Sequence, residues 1–156
     1  MSRNEEGKKI LFLSPLTGRS VSLEEVPDPV FSQKIIGDGM AVIPSDGRIV
    51  SPVDAQVVSV ADTAHAYGLK TEDGIELLIH AGIDTVKMNG EGFETFVETG
   101  AKVKKGDKLL SFDMDLVKEK GYKTQTIFLV ADAKGKEVEV VEAADADNNT
   151  KIMNLK

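Results

Sequence analysis

The sequence predicts an all-β protein, a sandwich or a barrel with a few short helical turns at its surface. Turn-forming residues interrupt the chain at short intervals, and the apolar runs between them are rich in β-branched residues. Long stretches with helical periodicity are scarce. The turn signals include Gly37-Asp38-Gly39, Ser45-Asp46-Gly47, Glu72-Asp73-Gly74, Asn89-Gly90 and Lys134-Gly135-Lys136.

The same patterns predict the individual elements, from the two ends of the chain to the helices and then the strands. Residues 1–9 are polar and charged, so we expect a flexible leader there and one domain over residues 10–156. The acidic stretch 142–149 is either a loop before a last strand or a disordered tail. Two short helices are predicted, over residues 30–36, with Phe31 and Ile35 on one face, and over residues 115–120, before Gly121. Strands are predicted over residues 10–13, 57–60, 76–79, 108–112 and 137–141.

Composition excludes several classes of protein. The chain has 156 residues, a formal net charge of −7 and no cysteine, so it has no disulfide framework, thiolate zinc site or thiol nucleophile. The acidic balance argues against nucleic-acid binding, which needs a concentrated basic surface, and favours a basic partner. The longest apolar runs, residues 10–13 and 127–131, fall far short of the ~20 residues of a membrane-spanning helix. We therefore expect a cytoplasmic protein without direct membrane insertion.

The two histidines, His65 and His80, lie on either side of a hairpin signal at residues 71–74. A four-residue loop would place His65 directly opposite His80, and a two-residue loop would place the two residues diagonally. Both registers keep the imidazoles on one face and within interaction range, whereas a loop of odd length would separate them.

A pair of imidazoles suits phosphoryl transfer. A neutral imidazole nitrogen is nucleophilic near pH 7, and the P–N bond that it forms can pass the group onward. Strand alternation places Thr63 beside His65, where its hydroxyl would fix the tautomer of that ring. It also places Asp84 on the face of His80 if no bulge intervenes. Gly82 leaves room for a partner to approach.

Two other interpretations of the pair stay open. In the first, His65 and His80 are ordinary half-buried or surface side chains, because an isolated pair of histidines is not a specific signal. A zinc site with Asp84 as third ligand is the other, but the chain has no His-Glu-x-x-His pattern and no third histidine. We therefore expect no intrinsic metal or other cofactor. Zinc could still be captured at the two histidines with a carboxylate from a partner.

From Leu11 to Gln125, an ordered set of motifs resembles the enzyme IIA domain of the glucose family in the bacterial phosphoenolpyruvate:sugar phosphotransferase system. The resemblance implies an antiparallel β-sandwich of the duplicated hybrid motif type, with a shallow apolar active-site depression. The set is more specific than any one motif, and it includes Pro15-Leu16-Thr17-Gly18, Ser51-Pro52-Val53-Asp54, Thr63-Ala64-His65, Glu76-Leu77-Leu78-Ile79-His80 and Gly82-Ile83-Asp84-Thr85-Val86.

The resemblance also implies that the protein is a phosphocarrier. His80 matches the phosphorylated histidine of the family, and His65 matches the companion that supports transfer. Thr63 matches the threonine that orients the companion, and Asp84 matches an aspartate beside the site. The phosphoryl group would come from phospho-HPr and pass to a cysteine of a IIB domain, so that sugar is phosphorylated during uptake.

Six apolar residues match positions through which such proteins meet their partners. The alternative is that they are core residues, since two apolar side chains on one helix face ordinarily pack inward. The six are Val30, Phe31, Ile35, Ile36, Met40 and Val86.

Three rival functions are kept beside the phosphocarrier. A phosphorylation-dependent regulator would bind transporters or metabolic enzymes without efficient delivery to a IIB domain. Residues 103–110 are similar to a segment of biotinyl and lipoyl carrier modules, although no modifiable lysine in the usual context follows Leu110. A zinc peptidase of related β architecture lacks its ligand set. From Ala143 onward the family's usual glycine-containing turn is missing, which leaves the docking of the last strand open.

Overall fold

The computed structural model describes residues 10–156, so the expected leader at residues 1–9 lies outside the described residues. The predicted all-β class is confirmed. None of the helices among residues 10–156 is long and apolar enough to cross a membrane. The helices are α1 (Pro29–Ser32) and α2 (Met114–Glu119), with 3-10 turns at Leu23–Glu25 and Thr85–Met88. The strands are β1 (Ile10–Leu13), β2 (Gly18–Ser22), β3 (Asp38–Pro44), β4 (Arg48–Val50), β5 (Ala55–Val60), β6 (Ala66–Lys70), β7 (Glu76–His80), β8 (Phe93–Thr95), β9 (Lys102–Val103), β10 (Lys108–Phe112), β11 (Thr126–Asp132), β12 (Val138–Val140), β13 (Ala143–Ala146) and β14 (Lys151–Leu155).

The strands among residues 10–156 form three sheets, and every strand pair is antiparallel. The long sheet has eight strands in the order β13-β2-β3-β11-β7-β6-β5-β9. Two three-stranded sheets, β1-β14-β12 and β4-β10-β8, complete the fold. Strand β7 therefore lies in the interior of the long sheet, between β6 and β11.

The apolar side chains separate into two clusters. The main core collects buried residues from all three sheets, and Phe12 packs edge-to-face on Phe128 with ring centroids 5.7 Å apart. A smaller cluster contains Phe31 of α1, Ala41 of β3 and Ile127 of β11. Because β3 and β11 supply residues to both clusters, the long sheet is covered on both faces in this region.

The first predicted helix is shorter than expected. Helix α1 ends at Ser32, and Lys34 adopts a left-handed conformation with φ 59°, which no helix can continue. The prediction that Phe31 and Ile35 share a face is therefore wrong: Phe31 is buried, whereas Ile35 is 67% exposed. The second predicted helix, by contrast, is present as α2 and is followed by Gly121 at φ 88°.

The last strand is docked firmly. Strand β14 pairs with β1 on one side and with β12 on the other, and most of its residues are buried. Part of the acidic stretch forms β13, which pairs with β2 at the edge of the long sheet. The Ser20 hydroxyl of β2 donates to the carbonyl of Val141 and accepts from the amide of Ala143. Residues 142–149 are therefore an ordered connection before a last strand and not a disordered tail. The connection itself contains the short strand β13.

The expected role of Met40 as a surface contact is wrong, because this side chain is fully buried in the main core. Replacing it tests its place directly. Met40→Ala should lower the free energy of unfolding by ~2–5 kcal/mol, as large-to-small changes in cores do. Ile35→Ala, at an exposed position, should change it by no more than ~0.5 kcal/mol. Urea unfolding of the two variants checks this, and equal midpoints would contradict the assignment of Met40 to the core.

Candidate active site

The hairpin that carries the histidines has a register that neither sequence alternative predicted. Ala66 lies opposite His80 and Lys70 lies opposite Glu76, so the loop has five residues, 71–75. The extra residue is accommodated because the Thr71 amide donates to the Ile75 carbonyl and the Thr71 hydroxyl accepts from the Ile75 amide. Both predicted registers are wrong.

The loop of odd length nevertheless leaves the imidazoles together. The two ring centroids lie 4.8 Å apart, in an edge-to-face arrangement. The reason is that His65 precedes β6 and follows Ala64, whose φ of 58° breaks the strand alternation. The carbonyl of His65 accepts from the Ala81 amide at 2.7 Å, which holds this segment against the end of β7. The expectation that an odd loop would separate the histidines is therefore wrong.

Thr63 lies where the sequence placed it, beside His65. Its Oγ1 lies 2.5 Å from Nδ1 of the imidazole. The contact occupies Nδ1 and leaves Nε2 as the nitrogen of His65 that can act on another group. His65 is buried, so this hydrogen bond also satisfies a polar group that water reaches poorly.

His80, the last residue of β7, is held by a main-chain acceptor. Its Nδ1 lies 2.8 Å from the carbonyl oxygen of Gly82. A carbonyl can only accept, so Nδ1 carries the proton and the neutral ring has its lone pair on Nε2. The turn requires glycine, because Gly82 has φ 83° and a Cβ there would lie 2.4 Å from Cγ2 of Thr85.

Burial keeps both imidazoles neutral. It lowers the pKa of His65 to about 4, and the neighbouring His80 adds to this shift. Burial also lowers the pKa of His80, although the Gly82 carbonyl and the carboxylates of Asp28 and Asp84 act in the opposite direction. Desolvation disfavours the charged form of a ring, so near pH 7 the site presents two uncharged imidazoles.

The two carboxylates reach the site from different segments. Asp84 has φ 63° and is exposed, and it precedes the 3-10 turn Thr85–Met88. The strand has ended at His80, so Asp84 approaches by way of a turn and not by strand alternation. Sequence analysis missed Asp28, whose side chain accepts from the Val30 amide and caps α1. The signal was the Asp28-Pro29 pair, since an aspartate before a proline is a common helix start.

Exposed apolar side chains lie on the segments that carry Phe31 and Asp84. Phe31 is buried and its ring lies 5.1 Å from the imidazole of His80, so it forms part of the wall of the site and not of the outer surface. The exposed members of the predicted set belong to α1, to the turn that follows it and to the 3-10 turn after Asp84. They are Val30, Ile35, Ile36 and Val86, and we call these four residues the apolar rim.

The fold and the site together define a β-sandwich protein in which two neutral, largely desolvated imidazoles meet at the end of an interior strand. A family model described as "phosphoenolpyruvate-dependent sugar phosphotransferase system, EIIA 1" matches residues 10–136. The chain belongs to this family and is a component of that phosphotransferase system. The match includes residues 103–110, the segment also similar to carrier modules.

Relatives and a solved structure agree with this assignment. A PTS system glucose-specific EIIA component of Bacillus cereus is 45% identical over 92% of this chain and 88% of that protein. A glucose-specific EIICBA component of Staphylococcus saprophyticus is 43% identical over 90% of this chain, which spans 21% of that longer protein. The glucose permease IIA structure from Mycoplasma capricolum superposes with a TM-score of 0.91 at 34% identity, covering 96% of this chain and 97% of that one.

Acidification should destabilise the protein through His65. The unfolded chain protonates this residue near pH 6.5 and the folded chain near pH 4. In that window the unfolded state binds more protons, so the free energy of unfolding falls as the pH falls. Relative to His65→Gln, the wild type should lose ~3.5 kcal/mol at most, since one pKa unit corresponds to ~1.4 kcal/mol. Urea unfolding across this range measures the difference, and parallel pH profiles for the two proteins would refute it.

Proposed function

We propose that this protein is a phosphocarrier in which Nε2 of His80 accepts a phosphoryl group from phospho-HPr and delivers it to a IIB domain. The observation that carries the proposal is the hydrogen bond from Nδ1 of His80 to the Gly82 carbonyl, 2.8 Å long. This bond directs the lone pair of a neutral imidazole away from the main chain. Because the pKa of His80 is lowered, the ring stays neutral and its lone pair stays nucleophilic at pH values where an ordinary histidine would be protonated.

The transfer balances without any further reactant. As the P–N bond to His80 forms, the P–N bond of the donor phosphohistidine breaks and its electron pair returns to the donor ring. In the second step a cysteine thiolate of the IIB domain forms the S–P bond, and the P–N bond breaks with its electron pair returning to Nε2 of His80. Nδ1 of His80 keeps its proton throughout and donates it in a hydrogen bond to the Gly82 carbonyl. The imidazole that leaves is therefore neutral and regains its starting state.

His65 would act on the phosphoryl oxygens. In the proposed state Thr63 donates to Nδ1 of His65, so the proton of that ring lies on Nε2 and can be donated to the group on His80. A donor that is already oriented in a partly buried site stabilises developing charge without reorganisation. The low pKa of His65 means that it supplies a hydrogen bond and not a positive charge.

The apolar rim and the two carboxylates define how a partner would dock. The apolar rim offers exposed apolar contact area on the segments that also carry Phe31 and Asp84. Asp28 and Asp84 place negative charge near His80, which favours partners with cationic groups at the same position. The fused EIICBA relative, whose name joins A, B and C components in one chain, supports a IIB domain as one such partner.

Zinc is proposed only as a shared ligand. Among residues 10–156 no group of three or more His, Cys, Asp or Glu side chains is arranged to hold a metal ion. A zinc ion at His65 and His80 would therefore need a carboxylate from a bound partner to complete a tetrahedral site.

The test is the intact mass of the protein after incubation with phosphoenolpyruvate, enzyme I and HPr. The wild type should gain one acid-labile phosphoryl group, and His80→Gln should gain none. His65→Gln should still accept the group but pass it to a IIB domain ~10²–10³ times more slowly, as expected when a transition-state donor is lost. An unmodified wild type beside a phosphorylated control IIA, or a phosphorylated His80→Gln, would overturn the proposal.

The positioning role of Thr63 has a separate test. Thr63→Val removes the partner of Nδ1 in His65 at nearly constant volume and should slow onward transfer about five-fold, since a hydrogen bond contributes ~1 kcal/mol. Thr63→Ser keeps the hydroxyl and should restore the rate. The ¹⁵N shifts of the His65 ring report its tautomer, which should change in the valine variant alone. Equal rates in all three proteins would show that Thr63 does not position the ring.

A further inference from the structure

A second concave site lies at the end of the β6–β7 hairpin remote from the histidines. It is a cavity of about 670 Å³, bordered by β5, β6 and β9, which is within the size range of small-molecule sites. Strand β7 runs from Glu76, opposite Lys70 of the cavity wall, to His80. Four residue steps of a strand span ~13 Å, so a ligand here would not cover the imidazoles.

Strand register gathers lysines on one face of this cavity. Gln56 of β5 pairs with Lys70 of β6 on one side and with Lys102 of β9 on the other. Directly paired residues project to the same face, so two ammonium groups lie on either side of one amide. Lys104, two residues beyond Lys102, also lines the cavity, and all three lysines are exposed.

Carboxylates lie near these ammonium groups without forming direct ion pairs among the described residues: Lys70 faces Glu76 across the β6–β7 pair, and its charge acts on Asp132. None of the three lies within ion-pairing distance of a carboxylate in the part of the chain from 10 to 156. Their concentration is notable in a chain with a net charge of −7. Lysines at a sheet edge commonly prevent association of strands. That role accounts for Lys102 of the edge strand β9, whereas Lys70 lies on the interior strand β6 and faces Glu76 across the strand pair.

Hydrogen-bond acceptors line the same cavity. Asp54 and Glu72 contribute carboxylates, and Gln56 contributes an amide. One oxygen of Asp54 accepts from the Lys105 amide at 2.8 Å, which fixes the carboxylate and leaves its second oxygen available. The neighbouring turn is also rigid, because Asp107 accepts from the Lys104 amide at 2.8 Å. Such acceptors suit hydroxyl groups, whereas a bare anion would be repelled by the carboxylates.

We propose that this cavity, which we call the lysine cavity, binds a small phosphorylated polyol, such as a sugar phosphate. Lys70, Lys102 and Lys104 contact the phosphate, since an ammonium group binds phosphate as a point charge. Asp54, Gln56 and Glu72 accept from the hydroxyls. The site does not depend on phosphorylation of His80, and its ligand belongs to the class of compounds that a sugar phosphotransferase system produces.

The experiment is a ¹H–¹⁵N NMR titration of the full chain with glucose 6-phosphate, and separately with glucose and with inorganic phosphate. Glucose 6-phosphate at millimolar concentration should shift the amides of Gln56, Lys70 and Lys102 and leave those of His65 and His80 unchanged. Glucose and inorganic phosphate should each bind at least about ten-fold more weakly, because each offers only half of the complementary groups. Higher ionic strength should weaken binding, as expected of exposed charges.

Variants separate the lysine cavity from general electrostatics and from the histidine site. Lys70→Gln combined with Lys102→Gln should weaken binding at least about ten-fold with an otherwise unchanged spectrum. Lys151→Gln, an exposed lysine on β14, is the matched control and should bind as the wild type does. His80→Gln should also bind normally, so the result is independent of the phosphocarrier test. Absence of shifts, equal affinity for inorganic phosphate, or undiminished binding by the double variant would each overturn the proposal.

Discussion

The position of the His80 imidazole depends on the antiparallel pairing of β7 with neighbours on both sides. Strands β6 and β11 hold β7 through main-chain hydrogen bonds, and Leu77 and Ile79 anchor it in the main core. His80 is the last residue of this clamped strand, so its main chain cannot shift without breaking pairs on both sides. The Gly82 carbonyl then fixes the ring of a residue whose backbone is already fixed. Local geometry at the site is thus inherited from the interior of the sheet.

Burial serves chemistry here by controlling charge. An imidazole that remains neutral offers a lone pair, and one that is protonated does not. His65 and His80 are both kept neutral chiefly by desolvation, while nearby carboxylates moderate the effect at His80 alone. The two rings therefore differ although they touch. The moderated ring, His80, donates from Nδ1 to the Gly82 carbonyl, and the more strongly depressed ring, His65, is held by Thr63.

Patterns of two to seven residues could be predicted from the sequence, and relations between segments could not. The strands at 10–13, 57–60, 76–79 and 108–112 have clear β-branched runs, and the structure contains each of them. The proximity of the histidines was also predicted, but for a mistaken reason. The register depended on how Thr71 bonds to Ile75. The contact between His65 and His80 depended on the left-handed conformation of Ala64, which no residue preference signals. Met40 could not be assigned because an apolar residue has the same pattern whether it faces a core or a partner.

The long sheet ends in two short strands, and their length limits association of the protein through its sheet edges. β9 has two residues and β13 has four, so neither edge offers a long row of unpaired amides and carbonyls. A protein with exposed apolar side chains such as those of the rim is at risk of self-association. Short edge strands offer little main chain with which another strand could pair. Contacts between molecules are then made mainly by side chains. Such side-chain contacts lack the main-chain hydrogen bonds of a strand pair, so they dissociate more readily.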